Sequence, residues 1–204
     1  MSRRDLAYVL SNGLDGATTV SATMILAKAA GVQVFVTGGI GGVHHGVEES
    51  WDISTDLREL GRTPVCVVCA GVKSILDVPK TLEFLETEGV PVTTLGQDEF
   101  PSFFTSKSGV RTPLRVETER EAAEVARAQL SLGLGGALVA VPIPRRDEAD
   151  AKEVEDVSTK TCAPSSLPSP SADALVAFET FLLKRPLPLA WPGPRERMSQ
   201  VSLV

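Results

Sequence analysis

This 204-residue sequence is poor in aromatic side chains, at 5%, and has three cysteines and two histidines. No apolar run approaches the roughly 20 residues that cross a bilayer, so we expect no membrane association. The start, M-S-R-R-D-L, lacks the apolar core of a secretory signal, and we therefore expect a cytoplasmic protein. A net charge of −6 disfavours a general nucleic-acid binder, which needs clustered Lys and Arg.

The cysteines do not form a redox or metal motif. Cys66 and Cys69 lie in one apolar run, V-C-V-V-C, which is typical of a buried strand. Three positions apart on a strand, they point to opposite faces, so we predict core packing rather than a shared metal or a local disulfide. Cys162 lies in a Ser/Pro-rich stretch and is expected to be a free thiol, and an odd cysteine count fits a reducing compartment.

Strand and helix patterns alternate along the first 142 residues. Apolar, β-branched runs predict strands, and segments with helical spacing predict the helices between them. The predicted strands are 32–37, 64–70, 90–95 and 137–142, and the predicted helices are 17–31, 52–60, 78–88 and 117–132. This alternation predicts an α/β fold with a largely parallel sheet covered by helices.

The pattern stops near Pro144, and we predict two regions on this basis. Residues 1–157 form an α/β domain, of which 145–157 are highly charged and fit a solvated helix. Residues 158–204 are a Ser/Pro-rich linker and tail, in which 172–183 fit a short apolar helix and the proline-rich end is expected to be disordered.

Candidate functional residues concentrate between Val36 and Asp77, where predicted strands end and helices begin. In open α/β sheets, ligands usually bind at such positions. The turn T-G-G-I-G-G-V-H-H-G can bring backbone N–H groups close to an anion, although it matches neither the dinucleotide fingerprint nor Walker A. His44 and His45 point apart if the backbone is extended, so we expect at most one, with His44 as the candidate, to face a site.

Lys73 follows Ala70-Gly71 at the end of the predicted strand 64–70. A lysine held partly out of water loses basicity and becomes an amine nucleophile that forms a Schiff base with an aldehyde. The alternative is a lysine that extends into solvent.

Asp52 and Asp56 are four residues apart, so on a helix they share a face and can hold a hard divalent cation through oxygen atoms. The alternative is that Asp52 caps the helix and Asp56 is a solvated helix residue. Arg3 and Arg4 fit either a phosphate clamp or a solvated, basic end.

Taken together, these segments resemble the pseudouridine-5′-phosphate glycosidase family, also called indigoidine synthase A-like. The likeness runs from Ser2 to about Pro144. It rests on the strings S-R-R-D-L, G-A-T-T-V-S-A-T-M, V-F-V-T-G-G-I-G-G-V-H, D-I-S-T-D-L, V-C-A-G-V-K-S-I-L-D and L-E-T-E-G-V-P-V. The resemblance implies a three-layer α/β/α sandwich, incomplete at both termini and usually assembled as a homotrimer.

The same resemblance implies an activity: reversible cleavage of the C–C glycosidic bond of pseudouridine 5′-phosphate to uracil and ribose 5-phosphate. Lys73 matches the family's nucleophile, which holds the opened sugar as an imine. Asp52 matches the residue that binds Mn²⁺ or another divalent cation. The positions that match substrate-binding residues are Val20, Ser54, Thr55 and Asp56.

The sequence also departs from the family pattern. The family has a glutamate general acid in a string like L-E-S-T-I-I-S-H-G, a substrate-binding lysine just before V-S-R-R-D, and a later segment like L-K-S-N. None of these is found here, and Met1 stands at the position of the valine. A general acid typically contributes roughly 10²–10⁴ in rate. The alternative expectation is therefore a catalytically inactive, shortened form that associates with full-length subunits.

Overall fold

A five-stranded parallel sheet organises residues 1–148, which are the residues that this computed structural model describes. The helices are α1 (Arg3–Ser11), α2 (Val20–Ala29), α3 (Val47–Ser50), α4 (Thr55–Leu60), α5 (Val78–Thr87) and α6 (Glu119–Ser131). The strands are β1 (Val34–Val36), β2 (Val43–His44), β3 (Cys66–Cys69), β4 (Leu76–Asp77), β5 (Val92–Leu95), β6 (Leu114–Val116) and β7 (Ala137–Ala140). In space the large sheet runs β1-β3-β7-β5-β6, and every neighbouring pair is parallel.

Helices cover both faces of this sheet, so the predicted α/β/α layering is confirmed. On one face α2 packs on α4 and α4 packs on α5, while on the other face α6 packs on β5, β6 and β7. Successive strand residues alternate between the layers, as the pleat of a strand requires. Val67 and Leu138 belong to the larger core cluster, and Cys66 and Val139 belong to the cluster under α6.

Side-chain caps fix where four of the helices begin. Thr19, Ser54, Asp77 and Thr118 each accept a backbone N–H from the first turn that follows. The predicted helix at 52–60 is therefore too long at its start, because Ser54 rather than Asp52 is the cap.

The two cysteines of β3 lie on opposite sheet faces, as predicted. Both are buried, free thiols. Burial raises the pKa of the Cys66 thiol to about 11 and that of Cys69 to about 12. A buried thiol that stays protonated is a poor nucleophile, so both residues serve packing.

Some elements were not predicted from the sequence. These are α1, the single-turn helix α3, β6 and the small antiparallel pair of β2 with β4. Of the predicted charged helix at 145–157, residues Arg145–Asp147 form an exposed 3₁₀ turn. The expectations for Cys162 and for residues 149–204 lie outside the described residues. Within residues 1–148, no helix is long and apolar enough to span a bilayer.

A partly buried ion pair ties α1 to α4. Arg3 Nε and Nη2 donate to the two carboxylate oxygens of Glu59 at 2.6 and 2.7 Å, and the Thr63 hydroxyl also donates to this carboxylate. Glu59 is 1% exposed, and burial raises its pKa, but the hydrogen bonds from Arg3 and Thr63 outweigh burial and the pKa is lowered. Arg3 is therefore neither a phosphate clamp nor a fully solvated residue.

Replacing Arg3 is expected to destabilise the protein. Arg3→Ala leaves the buried Glu59 carboxylate with Thr63 alone, and because Arg3 is half exposed we expect a loss of roughly 1–3 kcal/mol in the free energy of unfolding. Urea denaturation at pH 7 measures it, with Arg4→Ala as the control, because Arg4 is exposed and pairs only with Asp5.

The same loss should depend on pH. Because the folded pKa of Glu59 is lowered, its contribution is present above the unfolded value of about 4.3 and is lost as pH falls through the folded pKa. The two proteins should begin to converge in stability as pH falls below about 4.3, and the difference should vanish below the folded pKa of Glu59. A difference that is constant from pH 7 to pH 3 would contradict the assignment.

Candidate functional site

The site lies where β1 and β3 end, because the glycine turn after β1 lies alongside the segment after β3. Ile40 N donates to the Gly71 carbonyl at 3.1 Å, and Lys73 N donates back to the Ile40 carbonyl at 3.2 Å. These two bonds continue the parallel pairing of β1 with β3 beyond the sheet. Gly71 has a φ of +106°, and a Cβ there would meet the Pro101 carbonyl, so only glycine fits.

The other side of the glycine turn pairs with the acidic segment. Ser54 N donates to the Gly42 carbonyl at 3.0 Å, and His44 N donates to the Asp52 carbonyl at 3.1 Å. The turn therefore lies between the Lys73 segment and the Asp52–Ser54 segment. Backbone hydrogen bonds bring these three sequence-predicted segments to one edge of the sheet.

The buried side chain of Asp56 holds this arrangement together. Its carboxylate is buried, at 5% exposure, and accepts from Ser21 N at 2.8 Å and from Gly41 N at 2.9 Å. A Cβ at Gly41 would collide with Ser54 Oγ and with the Asp56 carboxylate, so this glycine is required for the close approach. Asp56 thus joins the start of α2, the glycine turn and α4.

This role corrects both interpretations of Asp56 drawn from the sequence. Asp56 is not a solvated helix residue, and it shares no helix face with Asp52, because α4 begins at Thr55 and Asp52 precedes it. Both oxygens of its carboxylate are already engaged with backbone N–H groups.

Asp52 and His44 lie on the exposed side of the turn. Their side chains are 61% and 39% exposed, and His44 Nε2 is 3.9 Å from the Asp52 carboxylate. His45 instead lies 3.7 Å from Asp77, so the two histidines point to different carboxylates, as predicted. No group of three His, Cys, Asp or Glu side chains is arranged to hold a metal ion within residues 1–148.

The Lys73 side chain is exposed, which contradicts the expectation that its amine is held partly out of water. The physical reason is that only its backbone is held, through the Ile40 carbonyl. Among the described residues, no carboxylate lies within 4 Å of its ammonium, so no ion pair occupies it.

The remaining candidates lie at helix starts. Val20 is the half-buried first residue of α2, and Thr55 is the exposed first residue of α4, directly after the Ser54 cap. The hydrogen bonds of the Asp56 carboxylate with Ser21 N and Gly41 N bring these two helix starts to the glycine turn. The N-terminus of α2 already contacts a negative group at this turn, because Ser21 N donates to the Asp56 carboxylate.

Two further contacts hold the turn on α5, and neither was predicted from the sequence. The Thr81 hydroxyl accepts from Val43 N at 2.9 Å and donates to the Asp77 carbonyl at 2.7 Å. Lys80 Nζ contacts Glu48 at 2.7 Å and Asp77 at 3.0 Å, and these partners raise the pKa of Lys80. The capping position of Asp77 before V-P-K-T was the one available signal.

An aromatic pair borders the same edge. Phe103 N donates to the Ala70 carbonyl at 3.0 Å, and its ring lies against Gly38 and Gly39. Phe103 has a φ of +53°, and it packs edge-on against Phe104 with ring centroids 4.3 Å apart. A non-glycine residue in the left-handed region is strained, and such strain is common beside functional sites.

Comparison with known proteins shows to which family the chain belongs. The family described as "Indigoidine synthase A like protein" matches residues 1–168. The chain belongs to this family. The resemblance stated from the sequence strings is therefore confirmed.

Curated relatives in the family carry related names. A pseudouridine-5′-phosphate glycosidase of Methylobacterium nodulans is 48% identical over 205 residues, covering 100% of this chain and 59% of the relative. One of Caldanaerobacter subterraneus is 58% identical over 155 residues, covering 76% and 50%. A pseudouridine-metabolizing bifunctional protein of Schizosaccharomyces pombe is 54% identical over 170 residues, covering 82% and 23%. The chain spans about half the length of the bacterial relatives.

Solved structures confirm the fold. The prealnumycin C-glycosynthase AlnA, solved in complex with ribulose 5-phosphate, matches with a TM-score of 0.76 at 36% identity, covering 90% of this chain and 60% of that one. An indigoidine synthase A-like protein of Thermotoga maritima matches with a TM-score of 0.75 at 33% identity, covering 90% and 61%.

Removing the Asp56 carboxylate is expected to loosen the site. Asp56→Ala leaves Ser21 N and Gly41 N without acceptors in a buried region, so the free energy of unfolding should fall by roughly 2–4 kcal/mol. Asp52→Asn is the matched control, because Asp52 is exposed and its change should leave stability within about 0.5 kcal/mol. Chemical denaturation measures both. Equal losses of unfolding free energy in Asp56→Ala and Asp52→Asn would show that the Asp56 carboxylate does not hold the glycine turn.

Proposed function

We propose that this chain contributes active-site residues of a pseudouridine-5′-phosphate glycosidase, at the edge of the sheet where β1 and β3 end. Lys73 is the nucleophile in this proposal. The chemistry is reversible cleavage of the C–C bond between ribose 5-phosphate and uracil. One observation carries the proposal: the glycine turn is hydrogen-bonded to the Lys73 segment on one side and to the Asp52–Ser54 segment on the other. The names of the relatives support the same substrate.

In this reaction the unprotonated Lys73 amine adds to the anomeric carbon, and the bond from that carbon to the ring oxygen breaks as the oxygen takes a proton and the nitrogen loses one. A second proton then adds to the uracil ring carbon that bears the sugar. The nitrogen lone pair forms a C=N bond while the C–C bond to uracil breaks, and the electrons of that bond restore the double bond of the uracil ring. Water hydrolyses the imine and releases ribose 5-phosphate. A covalent amine suits this bond, because a carbon leaving group has no lone pair to protonate.

The chain's other candidates have positioning roles in this proposal. Val20 and the run Ser54-Thr55-Asp56 lie at the starts of α2 and α4, beside the glycine turn, and we assign them to substrate binding. Asp56 acts through the backbone, because it holds Gly41 and Ser21 in place. His44 lies on the exposed side of the turn, within reach of the same substrate.

The donor set fits a divalent cation that keeps most of its water ligands. Asp52 offers one exposed carboxylate, with His44 3.9 Å away, and no closed cage exists within residues 1–148. We propose that Asp52 holds Mn²⁺ here. A bound Mn²⁺ would supply positive charge that offsets the charge of the phosphate substrate.

Borohydride trapping tests the nucleophile. In the presence of ribose 5-phosphate, borohydride should reduce the imine and leave a sugar phosphate on Lys73, which peptide mass spectrometry locates. Lys73→Ala should remove this label and lower uracil release from pseudouridine 5′-phosphate at least about 100-fold. Lys28→Ala is the matched control, because Lys28 is an exposed lysine in the last turn of α2.

Equal uracil release by the native protein and Lys73→Ala would overturn the assignment of the nucleophile. Absence of both label and turnover, in a protein that still binds the sugar phosphate, would favour the alternative that this chain is an inactive partner of full-length subunits. Co-purification with a full-length relative would then test that alternative directly.

The cation site has a separate test. Asp52→Asn should raise the Mn²⁺ concentration needed for half-maximal Mn²⁺ binding by at least about 10-fold, because the imidazole of His44 alone binds the cation weakly. Mn²⁺ binding followed by electron paramagnetic resonance gives the readout without any turnover. Asp98→Asn is the control, since Asp98 is an exposed aspartate that pairs with Arg115. Unchanged Mn²⁺ affinity in Asp52→Asn would exclude Asp52 as the ligand.

A further inference from the structure

One strip of the sheet lacks a helical cover within residues 1–148. On the α6 face, α6 packs on β5, β6 and β7 and also covers Cys66 of β3, but β1 carries no helix. Val34 and Val36 of β1 are 51% and 68% exposed on this side. Parallel sheets are normally buried on both faces, so an exposed apolar strip of this kind needs a partner.

The strip and the side of α6 form an apolar groove of about 540 Å³. Its floor includes Val34, Val68 and Val139, and Leu130 of α6 forms part of its wall. Neighbouring strands lie about 4.8 Å apart, so a strip of two strands is about 10 Å wide. A helix with its side chains is also about 10 Å wide, so the groove can hold one helix. Along α6 it extends for about 20 Å.

The 56 residues that follow Glu148 contain a segment with matching dimensions. Residues 172–183 read A-D-A-L-V-A-F-E-T-F-L-L, with Leu175, Phe178 and Leu182 three and four positions apart. This spacing places the three side chains on one face of a helix, which would be about 18 Å long. Between them and Glu148 lie residues 149–171, which reach up to about 75 Å when extended.

Charge favours one orientation of this segment. Along α6 the groove is bordered by Glu119 near the start and Arg127 two turns later. The segment has the same order of signs, with Glu179 followed by Lys184. An antiparallel arrangement therefore pairs each acidic residue with a basic one, whereas a parallel arrangement opposes like charges.

We propose that residues 172–183 pack as a helix into the groove beside α6, antiparallel to it, and complete the second helical layer of the sheet. Leu175, Phe178 and Leu182 cover Val34 and Val68. A second copy of the chain is disfavoured as the occupant. Because α6 stands about 10 Å above the sheet beside the strip, two such strips cannot meet face to face.

Disulfide trapping in the full chain tests the occupant and its direction. The antiparallel arrangement brings residue 174 to the last turn of α6, so Ala174→Cys with Ser131→Cys should form an intrachain disulfide under mild oxidation. Ala174→Cys with Ala123→Cys is the matched control, because residue 123 lies two turns away along α6 and should react at least about 10-fold more slowly. Cys162→Ser in both proteins removes a competing thiol, and the buried Cys66 stays unreactive.

Each outcome decides the matter. A monomeric, intrachain 131–174 disulfide supports the proposal. A disulfide between two chains would assign the groove to a second copy of the chain. A preferred 123–174 disulfide would show that the segment lies parallel to α6. Absence of any disulfide would show that residues 172–183 do not lie in the groove. Each of these three results overturns the proposal.

Hydrogen exchange gives a second, independent readout. Phe178→Asp puts a charge on the packed face and should increase amide exchange in β1 about 10-fold or more, because β1 loses its cover. Thr180→Asp is the control, since residue 180 lies on the opposite side of the proposed helix and should leave β1 exchange unchanged. Equal exchange in the two variants would exclude docking by this face.

Discussion

The site depends on one buried carboxylate. Asp56 accepts hydrogen bonds from backbone N–H groups of two segments that are distant in sequence, the start of α2 and the glycine turn. Hydrogen bonds to an ionised acceptor are strong, and a low local dielectric strengthens them further. Because the turn then pairs with the Lys73 segment and with the Asp52 segment, one side chain sets how the three approach each other.

The sequence was sufficient to predict the main elements and the fold class. Helical spacing and β-branched runs located four helices and four strands to within a few residues, because the helices bury one apolar face and the central strands are apolar on both faces. Of the elements that it missed, α1 is an amphipathic helix, whereas the short strands lack that signal. β6 is three residues long with two of them exposed, and β2 and β4 have two residues each, so none gives a periodic pattern. The position of β7 at the centre of the sheet depends on long-range pairing, which local patterns do not encode.

For the site, the sequence indicated the right segments but not the contacts of each side chain. Spacing predicted that Asp52 and Asp56 act together, yet the helix begins between them and only Asp56 is buried. Spacing shows which residues can share a face, but not which backbone N–H groups will lie opposite. Thr81 could not have been identified either, because a threonine inside a helix carries no sign that its hydroxyl will bridge to a distant turn.

The order of strands in the sheet has a consequence for how the chain is made. β7 lies between β3 and β5, although it is the last of the five to be synthesised. Until residue 140 leaves the ribosome, β1 with β3 and β5 with β6 can form only two separate ribbons, each with an open edge that would pair with β7. Non-local pairing of this kind slows folding, and open edges recruit other chains. The nascent protein is therefore most prone to aggregate just before its central strand inserts.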